Sequence, residues 1–360
     1  MWVHQVRREH WEEVLRIYGK KVDNPVSQCG RLAGSLLLAF LAVPLHSQSS
    51  AALKDPSPHT TRFVTADEDV RLEVLDWGGS GRPIVLLSGG GNTAHVFDDF
   101  APKLTAHFHV FGITRRGFGA SGYSATDHPA DRLGEDVVAV IDALNLKRPI
   151  LVGHSIAGAE LSSVANRHPN RVAGLVYLDA AYSYAFDNGK GSSIMEIQKL
   201  QAPQPPPPSE VDLASFGALQ KYYLRVDGFR FPEAELRAQR ESSPDGGVGK
   251  QRDPSGSALF MPLMTGTKKY TAIPVHALVI FANPHSLGTW VDENTDPAVK
   301  AAAKAYSAAL EPLTERQAKS VKDGVPAAHV ITLPGANHYV FLSNEADVLK
   351  DINDFRAILR

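Results

Sequence analysis

Apolar and polar positions alternate along this chain in blocks that predict strands separated by helices. Continuous apolar runs, typical of strands buried on both faces, lie at residues 83–87, 109–114, 149–154, 172–178, 273–281 and 329–333. Helical patterns follow them at residues 94–106, 130–145, 156–168, about 297–320 and from about Asn344. Strands and helices that alternate at this spacing predict an α/β fold with a parallel, helix-covered sheet.

Two segments depart from this alternation. Residues 62–66 and 70–77 alternate polar and apolar side chains around a charged turn, which predicts a half-exposed hairpin before the first buried strand. Residues 183–271 lose the pattern, carry a run of prolines at 205–208 and contain two short helical segments near 212–224 and 232–241. An insertion of this length between core strands predicts a mainly helical lid.

We therefore expect three parts. These are an N-terminal extension at residues 1–52, a core formed by residues 62–182 and 272–360, and the lid insertion at residues 183–271. The extension contains an apolar segment at residues 32–43 that follows Arg31 and precedes Pro44 and small polar residues. This layout is typical of an export signal and is short for a membrane span.

The export signal would begin unusually far from residue 1. This interpretation requires that residues 1 to about 25 are a long positively charged region or are not part of the natural product. The alternative is a buried or peripheral amphipathic helix. We predict a periplasmic or secreted protein without a stable membrane span in its mature form, with a cytoplasmic location as the alternative.

The composition narrows the classes of partner. The chain has 360 residues, is 43% hydrophobic and 21% charged, and carries a formal charge of −2. Mixed charge signs of this kind do not favour binding to nucleic acid, so we expect a small-molecule substrate. The single cysteine, Cys29, excludes an intrachain disulfide and a cysteine-based metal site. The sequence gives no indication of the oligomeric state.

Candidate chemistry begins where the run at 149–154 ends, at Gly153-His154-Ser155-Ile156-Ala157-Gly158. A serine on a sharp strand-to-helix turn needs small neighbours two positions before and after it, because the two backbones pass close together. Gly153 and Ala157 meet this need, and Ala157 departs from the strict G-x-S-x-G form. Taken alone, the motif also fits an ordinary turn with a serine near a helix cap.

Three further motifs accompany the serine turn in a fixed order. They are the glycine loop 88–92, the Arg-Gly-x-Gly-x-Ser turn 116–121, and Gly335-x-x-His338 after the last strand. Together with the serine turn, they make residues 62–360 resemble the α/β-hydrolase fold, in its lid-bearing serine esterase, lactonase and haloperoxidase-like branch. The resemblance implies a mostly parallel eight-stranded sheet with helices on both faces.

The resemblance also implies the roles of the site residues. Ser155 is the nucleophile, which excludes chemistries that use an aspartate nucleophile, and His338 is the base that takes its proton. The oxyanion hole is formed by the amides of Ile156 and Gly90. The loop has Ser88 where relatives often carry histidine, and its glycines would also fit a flexible turn.

The acid that orients the histidine is less clearly marked. Relatives usually carry an aspartate just after the strand matched by residues 275–281, but this chain continues 282-Ala-Asn-Pro-His-Ser-Leu-Gly-288. Some relatives carry the acid after the preceding strand, where Asp179 lies. We predict Asp179 as the triad acid and keep Asp292 as the alternative.

These residues predict a serine hydrolase that cleaves a small or medium, partly apolar ester or lactone through an acyl-enzyme. We expect no cofactor and no metal, because no carboxylate cluster matches the histidine pairs. A cofactor-free haloperoxidase or C–C bond hydrolase would use the same triad. A non-catalytic ligand-binding relative is the alternative from another class.

Overall fold

The structure, a computed structural model, describes the greater part of the chain: residues 57–124, 130–252, 256, 258, 260–265 and 269–359. The predicted export signal at residues 32–43 lies outside these ranges. No helix within them is both long and apolar enough to cross a membrane. Export therefore stays a prediction.

Ten strands lie within the described residues. Their bounds are β1 Thr60–Asp67, β2 Val70–Gly79, β3 Arg82–Leu87, β4 Phe108–Ile113, β5 Ile150–His154, β6 Gly174–Leu178, β7 Arg240–Ser242, β8 Val248–Gln251, β9 Ala277–Ala282 and β10 Ala328–Leu333. Eight of them form one sheet in the order β1-β2-β4-β3-β5-β6-β9-β10. This confirms the predicted mostly parallel, eight-stranded sheet.

The direction of the strands follows their position in the sheet. β1 pairs with β2 in antiparallel fashion, as the predicted hairpin requires, although β2 is mostly buried rather than half-exposed. β2 also pairs with β4 in antiparallel fashion, which the sequence did not predict. From β4 to β10 every pair is parallel. All residues of β5, β6 and β9 are buried, so both faces of the centre of the sheet are covered. Continuous apolar runs are what this double burial requires.

Eleven α-helices lie in the described residues. They are α1 Ala130–Ala143, α2 Ala157–Arg167, α3 Ile194–Gln198, α4 Glu210–Leu213, α5 Phe216–Asp227, α6 Glu233–Gln239, α7 Phe260–Thr265, α8 Thr289–Asp292, α9 Pro297–Gly324, α10 Val340–Ser343 and α11 Glu345–Ile358. The helix predicted at 94–106 is wrong: the segment forms two 3₁₀-helices, Ala94–Phe97 and Ala101–Leu104. Pro102 lies in the second of these, where it lacks the N–H that a continuous helix would use.

The insertion between β6 and β9 contains α3 to α7. It also contains the antiparallel pair β7–β8, a small sheet that the sequence did not predict. Ser193, Ser209 and Ser215 cap three of its helices through their side chains. Short helices and loops make up most of this segment, and its 12-residue helix α5 buries an apolar face that includes Phe216, Leu219 and Val226.

The carboxyl ends of the parallel strands meet at one edge of the sheet. β3 leads into the glycine loop, β4 into the arginine-bearing turn, and β5 into Ser155. β6 leads into Asp179, and β10 into the loop that carries His338. Ligands of open α/β sheets bind at this edge, so the topology brings the predicted site residues to one place.

Candidate active site

Ser155 occupies a sharp turn between β5 and α2. Its φ is +53°, in the left-handed region that a non-glycine residue seldom adopts. Its amide donates to the Leu178 carbonyl of the neighbouring strand β6 at 3.2 Å, and the residue is half-buried. The predicted strand–turn–helix is therefore present, with the strain that such turns store.

The small residues around Ser155 have distinct steric reasons. A methyl group on Gly153 would lie 3.2 Å from the Ala157 methyl and 3.0 Å from Leu161, so the absence of a side chain at 153 makes room for the one at 157. A methyl group on Gly158 would overlap the Ala180 carbonyl oxygen. The glycine that is required after the serine is therefore Gly158, one residue later than in the G-x-S-x-G form.

Ile156 lies between Ser155 and the first residue of α2. The first N–H groups of a helix have no acceptor within the helix, and the positive end of the helix dipole lies beside them. The Ile156 amide is such a group, directly after the serine. This position suits an oxyanion donor.

The glycine loop approaches the serine turn closely. A methyl group on Gly89 would lie 2.6 Å from His154 Nδ1 and 3.2 Å from Ser155 Cβ, so only glycine allows this approach. A methyl group on Gly90 would lie 3.1 Å from the Phe260 ring. Backbone of the loop therefore lies directly against the nucleophile candidate.

Buried Arg115 holds the carbonyls of this loop. Its Nη2 donates to the Ser88 carbonyl at 2.8 Å and its Nη1 to the Gly89 carbonyl at 3.2 Å, while Nε donates to Glu160 on α2. N–H and C=O point in opposite directions in a trans peptide, so the Gly90 N–H points away from Arg115. Sequence analysis noted the turn and missed this contact.

His338 and Asp179 form a direct hydrogen bond. The His338 Nδ1–H donates to Asp179 Oδ2 over 2.6 Å, which leaves Nε2 as the second ring nitrogen. The His338 side chain is 28% exposed, whereas Asp179 is fully buried. Asp179 follows β6 with a φ of +47°, again in the left-handed region.

The pKa of Asp179 depends on opposing effects. Burial alone raises it, but contacts with His285 and then His338 outweigh burial and hold the pKa of Asp179 well below its usual 3.8. The carboxylate is therefore ionised over the working range of pH. An ionised acid can fix the orientation of an imidazole and stabilise its protonated form.

Asp292, the alternative acid, lies at the end of α8 and is exposed. Within the described residues the carboxylate that contacts His338 is that of Asp179. The strand that ends before Asp179 lies beside β5, so its carboxyl end adjoins the serine turn.

His154 connects the serine turn to the loop that carries His338. Its Nε2 donates to the His338 carbonyl at 3.0 Å, and its ring packs against the rings of His338 and Tyr339, each with a centroid separation of 4.7 Å. Burial, and then the charge on His338, lower the pKa of His154 well below 6.5. A neutral ring in this place has a packing role.

Two tyrosines after β6 also belong to the site, although sequence analysis missed them. The Tyr182 hydroxyl donates to Asp179 Oδ1 at 2.9 Å. The Tyr184 side chain lies near Ser155, and burial, followed by the charge of Asp179, raises the pKa of Tyr184 well above 10.0. Tyr184 therefore stays a neutral hydroxyl beside the serine.

A third missed residue, Glu235 on α6, joins the insertion to the glycine loop. Its buried carboxylate accepts from Asn92 Nδ2 at 2.8 Å and from the Thr93 amide at 3.2 Å, as well as from the Thr93 hydroxyl and Gln239. The Tyr339 hydroxyl donates to the Asn92 side-chain oxygen at 3.0 Å. The insertion, the glycine loop and the residue after His338 are thus one network.

Two groups of side chains have donor types and spacing that a metal ion could use. They are His59, His95 and Asp98, and Asp179, His285 and His338, each with donor atoms within 4.8 Å of one another. In both groups ring nitrogens lie 2.6–3.1 Å from the carboxylate oxygens, so direct ion pairs and hydrogen bonds explain the spacing. We assign no metal to either group.

The arrangement suits nucleophilic chemistry on a carbonyl carbon. A hydroxyl on a strained turn, backbone amides beside it and an acid-paired imidazole meet at one sheet edge. A profile of the alpha/beta hydrolase family matches residues 84–351, which include all of these groups. The chain belongs to the alpha/beta hydrolase family.

Curated relatives of this chain match only part of its length. A non-heme chloroperoxidase of Streptomyces lividans is 33% identical over 120 residues, 32% of this chain and 44% of that protein. A bifunctional esterase/perhydrolase of Acinetobacter calcoaceticus is 30% identical over 112 residues, 30% of this chain and 40% of that protein. The chain thus spans less than half of the length of these relatives.

Solved structures extend the likeness of the fold. The crystal structure of an E-2-(acetamidomethylene)succinate hydrolase covers 83% of this chain and 99% of its own, with a TM-score of 0.55 and 19% identity. At that identity the likeness supports the fold alone.

Proposed function

We propose that the protein is a serine hydrolase that cleaves a small or medium, partly apolar ester or lactone through an acyl-enzyme. The observation that carries the proposal is the hydrogen bond from His338 to ionised Asp179, at the sheet edge where Ser155 occupies its strained turn. Relatives include a protein named as an esterase.

In the proposed reaction His338 Nε2 takes the proton of the Ser155 hydroxyl as its oxygen attacks the carbonyl carbon. The amides of Ile156 and Gly90 stabilise the negative oxygen that forms. His338 then gives the proton to the leaving alkoxide, which departs from an ester and stays tethered in a lactone. Water repeats these steps on the acyl group and regenerates Ser155.

The preference for apolar substrates rests on aromatic side chains around the base. Phe229 and Phe231, from the segment between α5 and α6, pack on Tyr339 with centroid separations of 6.0 and 5.0 Å. Phe260 lies against Gly90. We propose that residues 183–271 act as the lid that supplies these side chains to the pocket and excludes water.

The similarity to a chloroperoxidase and an esterase/perhydrolase favours a second candidate activity. Hydrogen peroxide that replaces water in the second half of the reaction would attack the acyl group and release a peracid. The same triad serves both reactions, so the assay should compare water and peroxide as acceptors.

The test is covalent labelling with a fluorophosphonate probe, followed by turnover of p-nitrophenyl esters of graded chain length. We expect the wild type to label and to hydrolyse short or medium esters. Ser155→Ala should lose labelling, and kcat should fall by about 10⁴-fold or more. The control Ser242→Ala, at an exposed serine of β7, should behave as the wild type.

Two results would overturn the proposal. One is an unlabelled wild type without esterase activity, which favours a ligand-binding protein. The other is labelling of Ser155→Ala at the wild-type level, which would place the reactive group elsewhere.

A further inference from the structure

The carboxylate of Asp179 accepts four hydrogen bonds. Oδ1 accepts from the Tyr182 hydroxyl at 2.9 Å and from the Ala282 amide at 3.2 Å. Oδ2 accepts from two imidazoles, His338 Nδ1 at 2.6 Å and His285 Nε2 at 2.8 Å. The oxygen that faces the proposed base is therefore shared with a second histidine.

His285 lies in the loop after β9, where the family resemblance led us to look for an acid. Its side chain is 11% exposed, and its ring centroid lies 6.5 Å from that of His338. The other ring nitrogen, Nδ1, is buried and has no hydrogen-bond partner among the described residues. Among the described residues, the polar partner of the His285 side chain is therefore Asp179.

The loop of His285 is held to the loop of His338. The Ser286 amide donates to the Ala336 carbonyl at 2.8 Å, and the Asn337 side chain donates to the Ser286 carbonyl at 3.4 Å. The two imidazoles therefore approach Oδ2 from loops that are bonded to each other. Their relative position is fixed by backbone contacts as well as by the carboxylate.

We propose that His285 is a positioning residue for the reaction proposed above: its Nε2–H fixes Asp179 Oδ2 opposite His338 and takes up part of the negative charge of the carboxylate. The inference rests on the proposed function. His285 does not touch the substrate and acts through Asp179.

The proposal has a consequence of defined sign. Without the donor on Oδ2, the carboxylate presents more negative charge to His338 and stabilises the protonated ring more strongly. The acidic limb of kcat/KM would then move to higher pH. The other titratable groups that face this pair are His154 from β5 and Tyr182 and Tyr184 after β6.

The experiment compares pH profiles of ester hydrolysis for the wild type, His285→Met and His285→Gln. Methionine fills the space without a donor, whereas the glutamine amide can still reach Oδ2. For His285→Met we expect a fall in kcat of about 10- to 100-fold and little change in KM, the scale of one hydrogen bond to a charged group. Its acidic limb should move up by about half to one pH unit.

His285→Gln should recover most of kcat and the wild-type limb. The matched control is His168→Met, because His168 Nε2 also contacts a carboxylate, Glu135, at 2.9 Å, but at the opposite end of α2 from Ser155. It should leave the profile unchanged. If His285→Met fails to fold, His285→Asn, whose shorter amide cannot reach Oδ2, carries the same expectation.

Failure of the two proposals can be told apart. A wild type that labels with fluorophosphonate, together with a donor-free variant that keeps wild-type kcat and an unmoved limb, overturns the role of His285 alone. A lower kcat with an unmoved limb and no recovery by glutamine also overturns it, since that result indicates a structural role. An unlabelled, inactive wild type overturns the proposed function and this role with it.

Discussion

Two buried carboxylates, Asp179 after β6 and Glu235 on α6, differ in what surrounds them. Both are fully buried and both accept several hydrogen bonds. Yet the pKa of Asp179 lies below its usual range, whereas burial raises that of Glu235 and hydrogen bonds from Thr93 and Asn92 offset only part of the rise. The difference is that two imidazoles hydrogen-bond Asp179 directly, whereas His95 lowers the pKa of Glu235 only through its charge.

This contrast indicates that the two carboxylates have different roles. Asp179 is held as an ion beside the proposed base. Glu235 is held by neutral amides and hydroxyls, where its value lies in satisfying buried donors of the glycine loop. Burial alone therefore identifies neither residue as functional, and the nature of the partners has to be considered.

The largest expected effect is the loss of activity when the Asp179 carboxylate is replaced. Asp179→Asn cannot pair with the imidazolium and favours the wrong tautomer of His338, so kcat should fall about 10⁴-fold in steady-state ester hydrolysis. Asp292→Asn serves as the control and should keep wild-type kcat. Near-normal activity of Asp179→Asn would remove Asp179 from the triad, and a loss in Asp292→Asn would transfer the role.

The next largest effect is the loss of stability when the Glu235 carboxylate is replaced. Glu235→Leu leaves the buried donors of Asn92, Thr93 and Gln239 without their acceptor, and each such group costs about 1–3 kcal/mol. We expect the free energy of unfolding, measured by urea titration, to fall by about 3 kcal/mol or more. Glu233→Leu on the same helix removes a half-exposed partner of Arg237 and should cost about 1 kcal/mol or less.

Unchanged stability of Glu235→Leu would contradict this account. It would mean that water satisfies the donors once the carboxylate is gone, and that the insertion is not held to the glycine loop through this residue.

The smallest effect is the pH dependence of stability, which should differ in sign between the two carboxylates. The folded pKa of Asp179 is depressed below 3.8, so its stabilisation is present above that pH and is lost as the pH falls. The folded pKa of Glu235 is raised above 4.5, so native protein binds this proton more tightly and the contribution of Glu235 declines as the pH rises through that window.

Urea unfolding between about pH 3 and 7 tests these signs. The stability of the wild type relative to Asp179→Asn should increase with pH, and that relative to Glu235→Gln should decrease. Each slope can reach at most about 1.4 kcal/mol per pH unit for one proton. Slopes of the same sign would refute the contrast between the two carboxylates.

Sequence patterns predicted the fold better than the surroundings of the site. Apolar runs such as 150–154 are long, continuous and bounded by turns, so strand type and order follow from local pattern. Periodicity at 94–106 was misleading, because the segment breaks into two 3₁₀-helices. Ser155 and His338 could be found because each lies in a short motif directly after a strand.

His285 and Glu235 carry no such local signal. Their partners lie 106 and 143 residues away along the chain, so their roles depend on tertiary contacts. For His285 the one available indication was the missing acid after β9, which marked the loop as unusual. The preference for Asp179 over Asp292 rested on strand position and agrees with its contact to His338, while the catalytic role itself stays a prediction.

The hydrogen bonds from Arg115 to the glycine loop limit the orientations that the Gly89–Gly90 peptide can adopt. Rotating the Gly89–Gly90 peptide would detach its carbonyl from a buried guanidinium that is also paired with Glu160. Such a flip is therefore costly, and the resting protein already holds the Gly90 amide in one orientation. The amide proposed as an oxyanion donor is thus fixed by a buried ion pair before any substrate binds.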